Sequence, residues 1–266
     1  MKKPRSSGFG RRALDELTIE DDASFAHIAL YSDLKEVLRR AGYAFRTLPD
    51  RSSASWDRAL FLNMVYWAAE DGGDILVDEV IPADVVTHVA WHHLAARALH
   101  AVGRRPPVEA MFLAESIASA FDVYLVGRVL GHAPESTFLE TQVTAMAETA
   151  KGAGLDALGF AALLRRLSDQ PERCFASVRE LLSDATARLF AAEGAEGALA
   201  VLTTLERHPF SPLLHRYELA SWILSARARA SPEPSAEARA VDRALRKSSD
   251  PLEWLAETWV RPALRD

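Results

Sequence analysis

Proline and glycine divide the chain from residue 82 to the C-terminus into segments of helical length, and this division constrains the fold more than any other feature. Within each segment apolar residues recur at every third or fourth position, the spacing that buries one face of a helix. Glycine and proline end helices because glycine is conformationally free and proline lacks the backbone donor. The interruptions lie at Gly103, Gly131, Gly152 and Gly154, Gln170-Pro171, Gly194, Pro209 and Pro212, residues 231–234, and Ser248 to Pro251. The sequence therefore predicts helices over residues 82–103, 108–131, 134–151, 155–168, 171–192, 195–207, 213–229, 235–246 and 250–262.

The N-terminal third contains fewer clear elements. Residues 1–12 carry a basic cluster and two glycines, and we expect them to form a disordered tail. The segment SDLKEVLRRAG predicts a helix that Ser32 caps and Gly42 ends, and another helix is predicted over residues 56–70. The segment ILVDEVI, residues 75–81, is rich in β-branched residues and is the one convincing strand candidate.

These elements predict an all-α fold, an antiparallel array of about ten helices with at most one short strand near 75–81. A single strand cannot form a sheet, so the predicted core is built from helices packed on helices. We expect residues 13–266 to form a single helical domain, with a subdivision near residue 152 as the alternative.

The charge and the cysteine content restrict the function and the compartment. The net charge is −6, so the chain lacks the basic surplus typical of nucleic-acid binding, and only the basic tail offers such a contact. Cys174 is the single cysteine, so no disulfide can form within the chain, and we expect a cytoplasmic protein. We expect no membrane segment, because Glu115, Asp122 and Arg128 interrupt the longest apolar run before it reaches the roughly 20 residues that span a bilayer.

Two histidines on one predicted helix are the main candidates for a functional site. His88 and His92 are four residues apart, which places both imidazoles on one helix face and allows them to bind one metal ion. The next predicted helix carries Glu115 and Asp122 on one face, and the short turn between the helices predicts that they pack antiparallel. Two imidazoles with one or two carboxylates are a common ligand set for zinc or non-haem iron. The sequence therefore predicts a metal site whose ligands are His88, His92 and Glu115. Asp122 or Asp84 would be a fourth ligand, or would orient an imidazole by a hydrogen bond.

The same segment, residues 75–127, locally resembles the gluzincin-type zinc peptidases. The pattern of that family is His-Glu-x-x-His on one helix and a glutamate ligand on a following helix, matched here by His88, His92 and Glu115. The segment ILVDEVI stands where that family has an edge strand before the active helix. The resemblance implies a zinc ion ligated by these three residues. Val89 occupies the position of the general-base glutamate, and because valine cannot accept a proton, the peptidase mechanism is not implied.

Other interpretations of these residues remain open. His88 and His92 are also compatible with half-buried histidines that hydrogen-bond to Asp84 or Asp122 without a metal. The leading hypothesis is a metal-binding helical protein that acts on or binds a small molecule, and the alternative is a non-catalytic protein–protein interaction or adaptor domain. No catalytic residue is identified, and the sequence lacks the Gly-x-Gly-x-x-Gly, Walker and Gly-x-Ser-x-Gly motifs.

A second group of polar and aromatic residues lies further along the chain. His208 and His215 flank two prolines, and Phe210, Tyr217 and Trp222 are close to them in sequence. This group predicts either the wall of a second pocket or a helix corner packed with aromatic side chains.

Overall fold

The computed structural model describes residues 9–48, 74–77, 79–99, 105–133, 135–231 and 233–265. They divide into two compact units, Met1–Ala90 and Trp91–Asp266. The boundary lies inside one continuous helix, Ala83–Leu99. Residue 152, the alternative boundary suggested by the sequence, lies inside the second unit.

The first unit combines short strands with two helices. Its elements are β1 Gly10–Ala13, a 3₁₀ turn Leu14–Glu16, β2 Thr18–Glu20, α1 Asp22–Phe25, α2 Ala29–Arg40, β3 Ala44–Thr47, β4 Ile75–Leu76 and β5 Val80–Pro82. Strand β1 runs antiparallel to β3, and β3 runs parallel to β4. Strand β2 pairs separately with β5 in a parallel arrangement.

These strands correct the prediction of at most one short strand. The predicted strand at 75–81 is divided between two sheets, because Ile75 is paired with Arg46 whereas Ile81 is paired with Ile19. Residues 10–12, predicted as part of a disordered tail, lie in β1, where Arg12 Nε donates a 2.7 Å hydrogen bond to Glu79 Oε1. Residues 1–8 and the predicted helix at 56–70 lie outside the described residues.

Helix α2 forms because its apolar residues recur at helical spacing. Tyr31, Leu34, Val37 and Leu38 are each at most 1% exposed and form its buried face. The helix begins at Ala29 with Ile28 in the N-cap position, so the predicted cap at Ser32 is wrong. The predicted end is nearly right, since the helix stops at Arg40 and Gly42 follows with a φ of 58°, a conformation that favours glycine.

The second unit is helical, which confirms the mostly helical class. The helix that crosses the boundary is α3, Ala83–Leu99, and the elements that follow are α4 Val108–Val129, α5 Thr137–Gly152, α6 Ala157–Asp169, α7 Pro171–Ala191, α8 Gly194–Leu205, a 3₁₀ turn Ser211–Leu213, α9 Arg216–Arg229, α10 Ala236–Lys247, α11 Pro251–Leu255, a π-helical turn Ala256–Val260 and α12 Arg261–Ala263. These bounds lie within a few residues of the predicted ones, because Pro171, Gly131 and Gly194 end or begin helices as expected.

Helix α4 is the central helix of the second unit. It packs against α6 and α7, and Gly127 lies so close to α6 that a Cβ atom there would overlap the backbone carbonyl oxygen of Leu167. By length and composition α4 is apolar enough to cross a membrane. However, 78% of its apolar 18-residue stretch is buried inside the structure. Such burial is what the core helix of a soluble protein also shows.

Candidate metal centre

Helix α3 is held against α4 by an aromatic contact beside the candidate ligands. Trp91 is completely buried, and its ring meets the Phe121 ring of α4 edge-to-face with 5.5 Å between the centroids. This geometry is the favoured one for an aromatic pair. Because His92 directly follows Trp91, the contact fixes the position of His92 relative to α4.

Glu115 provides a buried carboxylate opposite His92. The glutamate is 6% exposed, although the residue type is rarely buried unless it has a partner. Its Oε2 atom lies 3.5 Å from His92 Nε2, and the His92 side chain is 33% exposed. The contact that the sequence predicted between the α3 histidines and the α4 glutamate is therefore present for His92 and Glu115.

His88 joins the same group because it lies one helical turn before His92 on α3. One ligand atom from each of His88, His92 and Glu115 can be chosen so that all three lie within 4.8 Å of one another. Two atoms bound tetrahedrally to one zinc ion at about 2.0–2.1 Å lie about 3.3 Å apart. The His92–Glu115 distance of 3.5 Å is close to that value, and a ligand atom of His88 lies within 4.8 Å of a ligand atom of each of the other two residues.

Asp122 and Asp84 are not members of this group of three. Asp122 is seven residues beyond Glu115, and at 1.5 Å per residue the two lie about 10.5 Å apart along the axis of α4. Asp122 instead lines a cavity in the second unit. The backbone carbonyl of Asp84 accepts a 2.8 Å hydrogen bond from Thr87 Oγ1, at the start of α3.

The remaining polar residues near this segment have other surroundings. His93 is half-buried, and burial, followed by the charge of Arg97, lowers its pKa. His132 is exposed in the turn after α4, and Val89 is buried within α3. Glu79 forms an exposed pair with Arg12, while Asp78 and His100 lie outside the described residues.

In the second predicted group, His208 and His215 each accept a hydrogen bond from a nearby backbone N–H group. His208 Nδ1 accepts from the Phe210 backbone N–H at 3.2 Å, so its proton is on Nε2, which lies 3.3 Å from Ser177 Oγ. Burial, followed by the charge of Arg166, lowers the pKa of His208. In this tautomer the imidazole donates to the hydroxyl, so it is not placed to activate Ser177 as a nucleophile.

Sequence reasoning missed the role of His215. Its Nδ1 accepts from the backbone N–H of Glu218 at 3.4 Å and caps the N-terminus of α9. The glutamate three residues after the cap is the signal that could have located this helix start.

Comparison with family models, with curated proteins and with solved structures finds no match to this chain. The resemblance of residues 75–127 to the gluzincin-type peptidases therefore remains a prediction from the residue pattern.

Proposed function

We propose that this protein binds one divalent cation, zinc or ferrous iron, through His88, His92 and Glu115. The observation that supports the proposal is the convergence of three ligand atoms of suitable chemistry within 4.8 Å of one another. Two imidazoles four residues apart on one helix, joined by a carboxylate from the next helix, form a common ligand set for these metals.

The burial of Glu115 supports a cationic partner. A carboxylate is costly to bury unless a positive charge or several hydrogen bonds compensate for the lost hydration. A metal ion held by His88 and His92 would supply a double positive charge next to Oε2. Without a metal, His92 would place a single positive charge next to Glu115 Oε2, and only when its imidazole is protonated.

Three protein ligands leave coordination positions open for a small molecule. A zinc ion held by these three residues would supply Lewis acidity to a water or substrate oxygen in an open position. With ferrous iron, two histidines and one carboxylate correspond to the facial triad that leaves positions for exogenous ligands. The proposal does not extend to peptide hydrolysis, because Val89 offers no group that could accept a proton.

The proposal is tested by the Glu115→Gln variant, which preserves the shape of the side chain and removes its charge. Metal affinity is measured by competition with a chromogenic chelator, first for zinc and then for ferrous iron under anaerobic conditions. Loss of an outer-sphere partner typically weakens metal binding by about 10–100-fold, so we expect loss of a direct ligand to weaken it by about 100-fold or more.

The matched control is Glu140→Gln, which replaces an exposed glutamate on α5. We expect this variant to bind the metal with the affinity of the parent. Equal affinities in the parent and in Glu115→Gln, with both proteins folded by circular dichroism, would remove Glu115 from the site.

A second candidate function, a protein–protein interaction, is favoured by one face of α9. Tyr217 and Leu224 are seven residues apart on this helix and are 72% and 65% exposed. Large exposed apolar side chains at this spacing are typical of a helix that packs against a protein partner. A second copy of the chain is the first partner to test: sedimentation velocity should show association in the parent that the Tyr217→Ser/Leu224→Ser variant lacks. Monomers at every concentration of the parent would exclude self-association.

A further inference from the structure

A cavity that lies entirely within the second unit is a candidate site for a small molecule. It measures about 410 Å³ and lies between α4, α7, α10 and the segment that leads into α10. Small-molecule sites in proteins commonly measure about 300–1,000 Å³, so the size of this cavity is suitable. None of the three candidate metal ligands is among the described residues that line it.

Apolar side chains of α4 and α7 form much of the wall. Phe112 and Leu113 on α4 are buried, and Phe190 on α7 is half-buried. The rings of Phe112 and Phe190 meet edge-to-face with 5.6 Å between their centroids, which is a favoured arrangement for an aromatic pair. The guanidinium carbon of Arg227 lies 5.9 Å from the centroid of the Phe190 ring and also holds it in place. The aromatic wall is therefore formed before any ligand binds, which lowers the cost of binding.

Glu109 connects α4 to the beginning of α10 beside this cavity. Its carboxylate accepts hydrogen bonds from Arg239 Nη2 at 2.6 Å and from the backbone N–H of Ser235 at 2.9 Å. Burial alone would raise the pKa of Glu109, but the hydrogen bonds from Arg239 and Ser235 outweigh burial and lower it. Glu109 is therefore ionised at neutral pH, and its charge is balanced by Arg239.

The other end of α10 is joined to α7 by a second set of ion pairs. Arg246 donates hydrogen bonds to Asp184 Oδ1 at 2.7 Å and to Asp242 Oδ2 at 2.8 Å. Asp242 also accepts a hydrogen bond from the buried Arg179 at 2.6 Å. Three of the four acidic residues in the described lining are therefore paired with arginines. The fourth, Glu233, is exposed, so solvent screens its charge.

These ion pairs select against a charged ligand. An ion that enters the cavity would lose hydration, and the charged groups that it meets there already have partners within the protein. An uncharged ligand avoids this cost, and its apolar surface would be removed from water against the phenylalanine rings.

We propose that the 410 Å³ cavity binds an uncharged small molecule whose aromatic body packs against Phe112 and Phe190 and whose polar group, such as a hydroxyl, faces the ion pairs of α10. The binding is independent of the metal site, so it persists when His88 and His92 are replaced.

The test uses three probes of similar shape and different charge: benzyl alcohol, benzylamine and benzoate. Their affinities for the parent are measured by ligand-observed NMR and isothermal titration calorimetry at neutral pH. Benzyl alcohol should bind at least about threefold more tightly than either ion, because it has no charge to desolvate. Equal or tighter binding of benzylamine or benzoate, or no binding of any probe, would overturn the proposal.

A variant that fills the cavity locates the binding. Ala187 lines the cavity at an exposed position of α7, so Ala187→Phe should fold and should abolish the binding of benzyl alcohol. The matched control is Ala162→Phe at an exposed position of α6, which should bind the probe like the parent. Binding of benzyl alcohol with the parent affinity to a folded Ala187→Phe would place the probe elsewhere and contradict the proposal.

Two variants of one ion pair test whether charge balance sets the preference, and they decide the matter if Ala187→Phe does not fold. Arg239→Gln leaves the Glu109 carboxylate without its guanidinium partner, so the affinity of benzylamine relative to benzyl alcohol should rise about threefold. Glu109→Gln should raise the relative affinity of benzoate in the same way. The two side chains are 53% and 36% exposed, so both variants should fold. Unchanged ratios in both variants would contradict the proposal.

The His88→Ala/His92→Ala variant separates this proposal from the metal site. It should bind benzyl alcohol with the affinity of the parent, whether or not the parent binds a metal. Loss of benzyl alcohol binding in this variant, with the protein folded by circular dichroism, would place the probe at the histidines and overturn the proposal.

Discussion

Arg179 Nη1 donates a 2.6 Å hydrogen bond to Asp242 Oδ1, and the Arg179 side chain is completely buried. Burial alone would raise the pKa of Asp242, but hydrogen bonds from Arg246 and Arg179 outweigh it and hold that pKa below its ordinary value. We predict that Asp242→Ala lowers the free energy of unfolding by about 3–5 kcal/mol, because it leaves a buried guanidinium without its closest anionic partner. Chemical denaturation of the parent and of the variant measures this difference in the free energy of unfolding.

The control for this prediction is an exposed ion pair. Arg239→Ala breaks the ion pair between Arg239 and Glu109, whose side chains are 53% and 36% exposed, and should cost much less stability than Asp242→Ala because solvent screens exposed pairs. The double variant Arg179→Met/Asp242→Ala should recover much of the lost stability, since a buried pair can be replaced by apolar side chains. A cost below about 1 kcal/mol for Asp242→Ala would show that Arg179 does not depend on this carboxylate.

The contact of α4 with α6 at Gly127 leads to a second prediction. A Cβ atom there would overlap the Leu167 carbonyl oxygen and would also lie 3.3 Å from Pro171 Cβ. We expect Gly127→Ala to destabilise the protein by about 1–3 kcal/mol, although alanine is the better helix former. The control is Gly197→Ala in α8, where the nearest atom would be 3.7 Å away, and it should raise stability by up to about 1 kcal/mol. A thermal shift in the same direction for both variants would contradict the account of this contact.

His208 should make stability depend on pH. Its pKa is lowered in the folded state by burial and then by Arg166, so the unfolded state, with a pKa near 6.5, takes up the proton first as the pH falls. The contribution of His208 is therefore fully present above that pH and is lost as the pH falls through the folded pKa. Unfolding free energies measured between about pH 7.5 and pH 5.5 should decline less steeply in His208→Gln than in the parent.

The control for the pH experiment is the Gly197→Ala variant. It neither adds nor removes a titratable group, so its unfolding free energy should change with pH as steeply as that of the parent. Parallel slopes for the parent and His208→Gln would mean that burial and the charge of Arg166 do not lower the pKa of His208 in the folded protein.

The helices of the second unit were predictable because their limits are encoded locally. Gln170-Pro171 gives the start of α7, and Gly131 lies two residues beyond the end of α4. The strands were not predictable, because each depends on a distant partner: Arg46 is paired with Arg11 on one side and with Ile75 on the other. Ala44–Thr47 has too few residues to show an alternating pattern by itself.

The part of the candidate site that follows from helical geometry was predictable from the sequence. The spacing of His88 and His92 follows from one turn of α3, and Glu115 followed from the expected meeting of the two helices. Asp122 was included because residues seven apart share a helix face. Two side chains on one helix face can still lie at different positions along the helix axis. A rise of about 10.5 Å along the axis separates Asp122 from Glu115.

Metal content measured by plasma mass spectrometry tests whether His88 and His92 hold a metal ion in this protein. The protein is purified without a histidine tag and compared with His88→Ala/His92→Ala and with the matched control His27→Ala/His132→Ala, which removes two exposed histidines. We expect close to one zinc or iron per chain in the parent and in the control, and almost none in His88→Ala/His92→Ala. A folded parent that contains no metal after incubation with zinc or with ferrous iron would contradict this expectation.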